Sequence, residues 1–452
     1  MKKVITYGSF DLFHEGHYRL LKRAKELGDY LIVGVTTEHF DEMRGKLNLV
    51  DPILTRIENV KKTGFADEII VEDHDGQKIE DIQRFEIDVF TVGTDWVGKF
   101  DYLKQFCEVV YLPRTPGISS TGIRDSRYRV IQLGIVGTGR IVKRFMRELN
   151  FVSGIEAVSA YNPYVDEVQR FAEEYAVLPE SSDFERFLNH VDAVYIASTS
   201  ETHEDYAREA IQHGKHILCE KPLTFSRTAA EELYRLALAK GCVLLEAIKA
   251  AYCPGFQQLI NVATSGQIGQ IMDVEANCTQ LVGKDTREGS DAAYGGGFLE
   301  YGSNVMVPIL KLLGRDYQDV RFHSIWDSDG VDVYNRMDVI YDRAMASAKT
   351  GVGVKTEGQL VVSGTNGYLI APSPWWMTRH FEVRFEDPNR IISYDPPYMG
   401  DGLRYEIADF VLKIEGRSRN SFKLTAEESI AMADLTERYM AFKKEMDNVS
   451  GR

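Results

Sequence analysis

The sequence predicts an α/β chain in which two strand–helix alternating units are followed by an α+β part. Short apolar runs alternate with amphipathic helical patterns over residues 1–128, and again over 129–250. Each stretch carries a glycine turn directly after a strand, GSFDLFHEGH at 8–17 and GIVGTG at 134–139, and the two turns differ in type. Past about residue 250 the alternation gives way to longer strands closed by helices, which is an α+β pattern. A prior of roughly 150 residues per domain gives about three units for this length. The expected division is 1–128, 129–250 and 251–452.

The elements follow in order. Lys2–Tyr7 is a strand pattern. Glu15–Leu27 reads as a helix because Tyr18, Leu20, Leu21, Ala24 and Leu27 recur near period 3.6, and Gly28 ends it. Tyr30–Val35, Glu68–Val71, Val89–Val92 and Glu108–Leu112 are further strands, with helices at Leu54–Thr63 and Ile79–Phe85. No Gly/Ser/Pro linker separates this part from the next strand, Arg129–Val136, so the two abut. Strands at Ile155–Ala160, Ala193–Ala197, His216–Cys219 and Val243–Glu246 then alternate with helices at Val165–Tyr175, His203–His213 and Ala229–Lys240. Later strands are Gln270–Thr279, Asp319–Trp326, Val333–Tyr341, Glu357–Val362, Gly367–Ala371 and Phe381–Phe385. Asp401–Ile414 and Thr425–Lys444 close the chain as helices.

Composition narrows the function classes. The net charge of −15 argues against nucleic acid as a partner, because a phosphate backbone needs a basic face. Small phosphorylated substrates need only a local basic pocket. No run approaches the ~20 apolar residues of a membrane span. The N-terminus MKKVITYGSFD lacks a signal-peptide h-region. Cys107, Cys219, Cys242, Cys253 and Cys278 are scattered without CxxC spacing, which reads as reduced thiols of a cytoplasmic protein.

His14-Glu15-Gly16-His17 stands at a strand-to-helix turn. First-turn amides of a helix are unpaired and suit phosphate. Two imidazoles can face one oxygen cluster, and Gly16 lets a phosphate approach the backbone. Such a site stabilises charge when one phosphate attacks the α-phosphorus of a nucleoside triphosphate.

The runs GSFDLFHEGHYRLLKRAKELGDYLIVGV and FTVGTDWVGKFDYLKQFCEVVYLPRTPGISSTGIR resemble the glycerol-3-phosphate cytidylyltransferases of the HxGH nucleotidyltransferase superfamily. The resemblance covers residues 1 to 125 and implies a Rossmann-like nucleotidyltransferase domain. It implies that Gly8, Ser9 and Phe10 form the turn over the nucleotide, and that His14 and His17 contact the triphosphate and the transition state. It places Arg44 and Lys46 on a mobile loop that neutralises phosphates. Asp95 and Trp96 would lie near nucleotide and substrate. Arg114, Thr115, Ile118, Ser119, Ser120 and Thr121 would grip phosphate and base. CTP, with Mg²⁺ bridging its oxygens, is the implied nucleotide, and no metal ligand is assigned to the protein. The loop around Leu47–Pro52 departs from the family pattern, although Arg56 remains available.

The second turn has Gly134, Gly137 and Gly139 after a strand and before a helix, as binding of a dinucleotide pyrophosphate requires. Val142 replaces the third small residue, which predicts looser helix–strand packing. At the next strand end, Ala160-Tyr161-Asn162-Pro163 offers no acid for a ribose hydroxyl, so NAD and NADP both stay open.

DAVYIASTSETHEDYAREAIQHGKHILCEKPLTFS resembles the glucose-fructose oxidoreductase / inositol dehydrogenase family. This implies a dinucleotide-binding Rossmann domain, then an α+β open-sheet domain for substrate and oligomer contacts. It also implies an NAD or NADP cofactor against Gly137, Thr138, Gly139, Arg140, Ile141, Tyr161, Asn162, Ser198, Thr199, Thr202, His203, Glu220 and Lys221. Lys221 of the Glu-Lys-Pro marker would move the proton, its pKa lowered by nicotinamide and apolar walls. Glu246 would sit near the nicotinamide. In GGGFLEYGSNVMVPILKLLG, Glu300 takes the family's acid position and Asn304 its His/Tyr position. Asparagine cannot shuttle a proton, which leaves the task to Lys221 or Tyr301, or leaves the domain silent.

These readings predict a bifunctional enzyme acting on small phosphorylated polyols or sugars for a bacterial surface polymer, teichoic acid or capsule. A cytidylyltransferase with a silent second part, and an ATP-using adenylyltransferase, are the alternatives. A homo-oligomer is the default expectation.

Overall fold

The computed structural model describes residues 1–113, 130–416 and 423–450. The first sheet is parallel, with order β3-β2-β1-β4-β5, from β1 (Lys3–Gly8), β2 (Tyr30–Thr36), β3 (Glu68–Glu72), β4 (Val89–Gly93) and β5 (Glu108–Leu112). Helices α1 (Glu15–Glu26), α2 (Glu38–Met43), α3 (Ile53–Lys62) and α4 (Gln77–Phe85) connect the strands. Val4, Leu31 and Val33 face one core, while Ile5, Ile32 and Phe90 face another, so both faces of the sheet are covered.

The second sheet has the order β11-β10-β9-β6-β7-β8. Its elements are β6 (Ile131–Val136), α5 (Arg140–Leu149), β7 (Ile155–Tyr161), α6 (Val165–Tyr175), β8 (Leu178–Glu180), α7 (Phe184–Leu188), β9 (Ala193–Ile196), α8 (His203–Gln212), β10 (His216–Glu220), α9 (Arg227–Lys240) and β11 (Leu244–Ala247). This is the doubly wound pattern, with the order reversing beside β6.

Short helices α10 (Lys249–Tyr252) and α11 (Pro254–Thr264) lead to an eight-stranded sheet, order β13-β14-β15-β12-β16-β17-β18-β19. Its strands are β12 (Ile271–Thr279), β13 (Asp319–Trp326), β14 (Asp332–Ile340), β15 (Met345–Gly351), β16 (Leu360–Gly364), β17 (Tyr368–Ala371), β18 (Phe381–Arg384) and β19 (Ile391–Tyr394). Helices α12 (Arg287–Ser290) and α13 (Gly297–Leu313) sit between β12 and β13 in the chain, and α14 (Leu403–Ile414) and α15 (Ala426–Ser450) end it. Among the described residues, no helix is long and apolar enough to cross a membrane.

Several elements escape the periodicity argument, β15 and α2 among them. β15 reads MASAKTG, and its inward residues Ala346 and Ala348 are too small to stand out as an apolar alternation. Helix α2 is six residues long, starts at the Thr37 cap and offers only one turn of pattern.

The chain forms two compact units. One comprises residues 1–195 and 399–411, and the other 196–398 and 412–452. No sequence signal announces that residues 399–411 belong with the first.

Candidate active sites

The first site lies within the first unit, at the C-terminal end of β1. A cavity of about 650 Å³ opens there, lined among others by Ser9, His14, His17, Lys46 and Trp96. Phe10 and Leu12 both hold positive φ, at 50° and 45°. Non-glycine residues reach that region at a cost, so the surroundings must hold the turn. Asp11 does so by accepting from Asp51 N–H at 2.8 Å, and Asp51 in turn accepts from Leu12 N–H at 3.1 Å.

Arg56 is the other tie. It is wholly buried and donates to the carbonyls of Ser9 and Thr36, both at 2.8 Å, and of Asp51 at 3.0 Å. The expectation that Arg56 stays available to a ligand is therefore corrected: the side chain is wholly buried and its Nε and Nη1 donors hold the walls of the turn.

His14 caps α1, and its Nδ1 accepts from Gly16 N–H at 3.0 Å. In a neutral ring this leaves the proton on Nε2. A Cβ on Gly16 would run into that ring, so the close turn requires glycine. The rings of His14 and His17 stack with centroids 3.9 Å apart, and His17 is flanked by Phe10 and Phe13, both at 5.5 Å. The two imidazoles predicted to act together are thus together, at a helix N-terminus that favours anions.

The Arg44–Lys46 segment, expected from the resemblance to be a mobile loop, makes several contacts in this structure. Arg44 lies 3.7 Å from both Asp41 and Glu72 and over the Phe40 ring. Lys46 Nζ donates to the Asn150 carbonyl at 3.0 Å. Burial lowers the Lys46 pKa, and Asp41 and Asp11 act against that. Trp96 packs edge-on to Phe151 at 5.9 Å, with Lys99 4.6 Å above the Trp96 ring.

Lys78 and Phe151 are among the residues of this cavity that sequence reasoning passed over. Lys78 is buried against Glu72 and lies 4.6 Å from the Tyr7 ring centre. Only the first-turn position after Gly76 marked it, and a lysine there reads as an ordinary exposed residue. Phe151 belongs to the turn between α5 and β7, far away in sequence. Arg114, Thr115, Ile118, Ser119, Ser120 and Thr121 lie outside the described residues, as does the side chain of Asp95.

The dinucleotide turn is also in the first unit. Gly137 has φ 94°, which an L side chain rarely adopts. Gly134 is required for another reason, because a Cβ there would strike the Phe187 ring. Gly139 caps α5 without a side-chain bond, and a Cβ on it would meet nothing, so the helix amides open onto free space. That cradle fits a dinucleotide pyrophosphate. Thr138 lies within the turn, and Arg140 and Ile141 begin the helix. Val142 is fully buried.

Tyr161 packs edge-on against Phe184 and is buried. Asn162 donates to Thr138 Oγ1 at 2.7 Å and to Glu167 at 3.1 Å. The strand end therefore does carry an acid beside it. Glu167 comes from the first turn of α6, where the sequence reading did not look.

The remaining residues are in the second unit. Lys221 follows β10, and its Nζ donates to the Glu300 carbonyl at 2.7 Å and lies 3.4 Å from the Glu300 carboxylate. Asn304 stands one turn further along α13, 3.9 Å from Cys278 Sγ. The Tyr301 hydroxyl donates to Gln280 at 3.4 Å. Burial pushes the Cys278 thiol up to about 12.

The expectation of a lowered Lys221 pKa is corrected. Burial does lower it, but the carboxylates of Glu300 and Glu220 outweigh burial and the net shift is upward. The amine is held charged by its acid neighbour.

His203 and Glu246 are enclosed rather than facing an open site. His203 is 2% exposed, and its ring nitrogens meet the carbonyls of Pro222 at 2.8 Å and Ser198 at 3.2 Å. It ties the two strand-end turns together. Ser198 and Thr202 share a hydroxyl bond at 2.7 Å, and Thr202 also donates to the Thr199 carbonyl.

Glu246, on β11, accepts from Leu223 N–H at 3.0 Å. Burial raises its pKa to about 7, and the Glu220 charge adds to this. Between pH 4.5 and 7 the unfolded chain loses this proton while the folded chain keeps it, so stability falls with rising pH and levels off above 7. Replacing Glu246 by Gln is expected to flatten that fall, read as denaturation midpoints across the same pH window.

The first site is that of an α/β nucleotidyltransferase, and the second sheet is that of a dinucleotide-binding oxidoreductase. Residues 5–126 match the cytidylyltransferase-like family model, and residues 131–247 match the model of the oxidoreductase family with an NAD-binding Rossmann fold. Over residues aligned at its N-terminal end, the chain is 53% identical to a glycerol-3-phosphate cytidylyltransferase of Bacillus spizizenii, covering 27% of this chain and 95% of the relative. The chain belongs to the glycerol-3-phosphate cytidylyltransferase family through this part, and it carries in addition an oxidoreductase domain of the Gfo/Idh/MocA type. It is 26% identical to the scyllo-inositol 2-dehydrogenase (NADP(+)) IolU of Bacillus subtilis, over 68% of this chain and 95% of the relative. The fold also matches KijD10, a 3-ketoreductase from Actinomadura kijaniata solved with NADP and TDP-benzene, at 22% identity and TM-score 0.59, over 68% of this chain and 96% of that one. The protein is a cytidylyltransferase with an NAD(P)-dependent oxidoreductase domain.

Proposed function

We propose that the N-terminal site joins CMP from CTP to glycerol phosphate or a related polyol phosphate, releasing pyrophosphate. The carrying observation is the stacked His14–His17 pair at the start of α1, in a chain segment 53% identical to a glycerol-3-phosphate cytidylyltransferase. A phosphate oxygen of the acceptor attacks the α-phosphorus, and the bond to the β,γ-pyrophosphate breaks. His14 Nε2–H and the His17 ring stabilise the charge that builds on the phosphoryl oxygens. Lys46, with Arg44 beside it, neutralises the leaving pyrophosphate. Mg²⁺ would arrive with the triphosphate and bridge its oxygens.

The second activity is NAD(P)-dependent oxidoreduction of a small keto or hydroxy compound, a polyol or sugar phosphate. The cofactor would rest on the Gly137–Gly139 turn and supply the hydride, and Lys221 would hold the proton for the substrate oxygen. The Asn304 position favours a second reading, in which this domain does not turn over and serves as a scaffold. The reduced product would be the polyol whose phosphate the first site activates, in the cytoplasm, for a bacterial surface polymer.

The test is pyrophosphate release with Mg²⁺ and either CTP or ATP across a panel of polyol phosphates, each run with and without NAD(P)H and the matching keto phosphate. Turnover with CTP is expected. Turnover with ATP alone would overturn the cytidylyl assignment, and absence of any NAD(P)H consumption would favour the scaffold reading.

A further inference from the structure

Within the first unit, the basic loop of the transferase is gripped by residues from far along the chain. Leu47 N–H donates to the Phe151 carbonyl at 2.7 Å and Ser153 N–H to the Leu47 carbonyl at 3.2 Å. Leu47 and Val152 thereby form an isolated parallel bridge. Lys46 Nζ meets the Asn150 carbonyl in the same turn. From the other side, Arg404 at the start of α14 donates through Nη1 to the Gly45 carbonyl at 2.9 Å. Its Nε and Nη2 grip the Glu148 carboxylate at 2.9 and 2.7 Å, and its guanidinium lies 3.9 Å over the Phe151 ring. The Asn48 amide reaches the Ala408 carbonyl at 3.1 Å.

These contacts are built to be tight. Arg404 and Glu148 are 3% and 5% exposed. Gly45 has φ 79°, and a Cβ on it would collide with the Arg404 guanidinium. An ammonium group has three donors, so the bond from Lys46 to Asn150 leaves two for a phosphate. A lysine already held in place loses less rotamer freedom when a ligand arrives, which is where preorganisation strengthens binding.

We infer that Arg404 and the Asn150–Ser153 turn are positioning elements of the cytidylyltransferase, fixing the Gly45–Asn48 segment so that Lys46 stands at the CTP triphosphate. The transferase thus uses residues that follow its own family match. The inference rests on the proposed assignment of Lys46 to the triphosphate.

The test uses the full chain, with steady-state pyrophosphate release from CTP and glycerol phosphate in Mg²⁺. Lys46→Ala is the reference and is expected to raise the KM for CTP by at least about 10-fold. Asn48→Asp keeps the positive φ of 59° that aspartate tolerates, but sets an acceptor against the Ala408 carbonyl. Arg404→Met removes the grip on Gly45 and Glu148. Both are expected to raise the KM for CTP by about 5–10-fold while kcat and the KM for glycerol phosphate stay within about 2-fold. Arg404→Lys is expected to recover part of the loss. Arg404→Met also leaves Glu148 buried and alone, so Asn48→Asp carries the test if that variant fails to fold. A raised KM in Lys46→Ala with none in Asn48→Asp overturns the inference and leaves the triphosphate assignment standing. A loss of kcat without a KM change in Asn48→Asp would place the effect on the transition state rather than on ground-state binding of the triphosphate, and also overturns it. An unchanged KM in Lys46→Ala, or no turnover of CTP by the wild type, overturns the assignment and the inference together.

Discussion

Replacing His17 by alanine is expected to lower kcat for CMP transfer by about 10²–10³-fold and to leave the KM for CTP nearly unchanged. The reason is where the ring sits. His17 stacks on His14 and is enclosed by Phe10 and Phe13, so its orientation is fixed before any ligand binds. A donor fixed in this way needs no reorganisation when charge builds on the phosphoryl oxygens. The ground-state triphosphate, in contrast, is also held by the helix amides and the basic loop. Single-turnover pyrophosphate release at saturating CTP checks the effect, and an unchanged thermal unfolding midpoint separates it from misfolding. A large KM change with unchanged kcat would place His17 in ground-state binding instead.

The second large effect is expected at Lys221. Lys221→Ala should lower keto reduction by about 10²–10⁴-fold while NAD(P)H binding, read by cofactor fluorescence, persists. Asn304 offers no proton, so the task falls to Lys221, which lies 3.4 Å from the Glu300 carboxylate. The Glu300 and Glu220 carboxylates raise the lysine pKa and keep the amine protonated, the form a reductase needs to give a proton to the nascent alkoxide. Activity in the reductive direction should therefore persist to high pH and fall as Lys221 loses its proton. Glu300→Gln removes the main cause of the upward shift, so the alkaline limb should move to lower pH. A limb that does not move would mean that another group supplies the proton.

The two dehydrogenase and transferase readings differ in how much of each site the sequence displays. His14, Gly16 and His17 lie within four residues of one another, and Gly137–Gly139 form one turn. Local chemistry of that kind is legible, because the backbone turn itself brings the groups together. Lys221 with Glu300 was legible only as two separate motifs, and their contact across 79 residues is a product of the tertiary fold. Burial was legible least. Nothing in the sequence said that Arg56 and His203 would be spent on backbone carbonyls, or that Glu246 would be enclosed, since each is a polar residue of ordinary local pattern. The sign of the Lys221 shift was misread for the same reason. It depends on which of two opposed effects is larger, and that is set by the distance to Glu300.

The sequence by itself determined the alternating strands and helices, the two glycine turns and the kind of phosphate chemistry each turn accepts, because hydrophobic period and turn chemistry are local properties. Only the tertiary structure decided that Glu300 keeps Lys221 charged and that Arg404 reaches Gly45 across 359 residues. Such contacts join segments whose local patterns are independent, and they form only when packing of the cores has fixed where each segment runs.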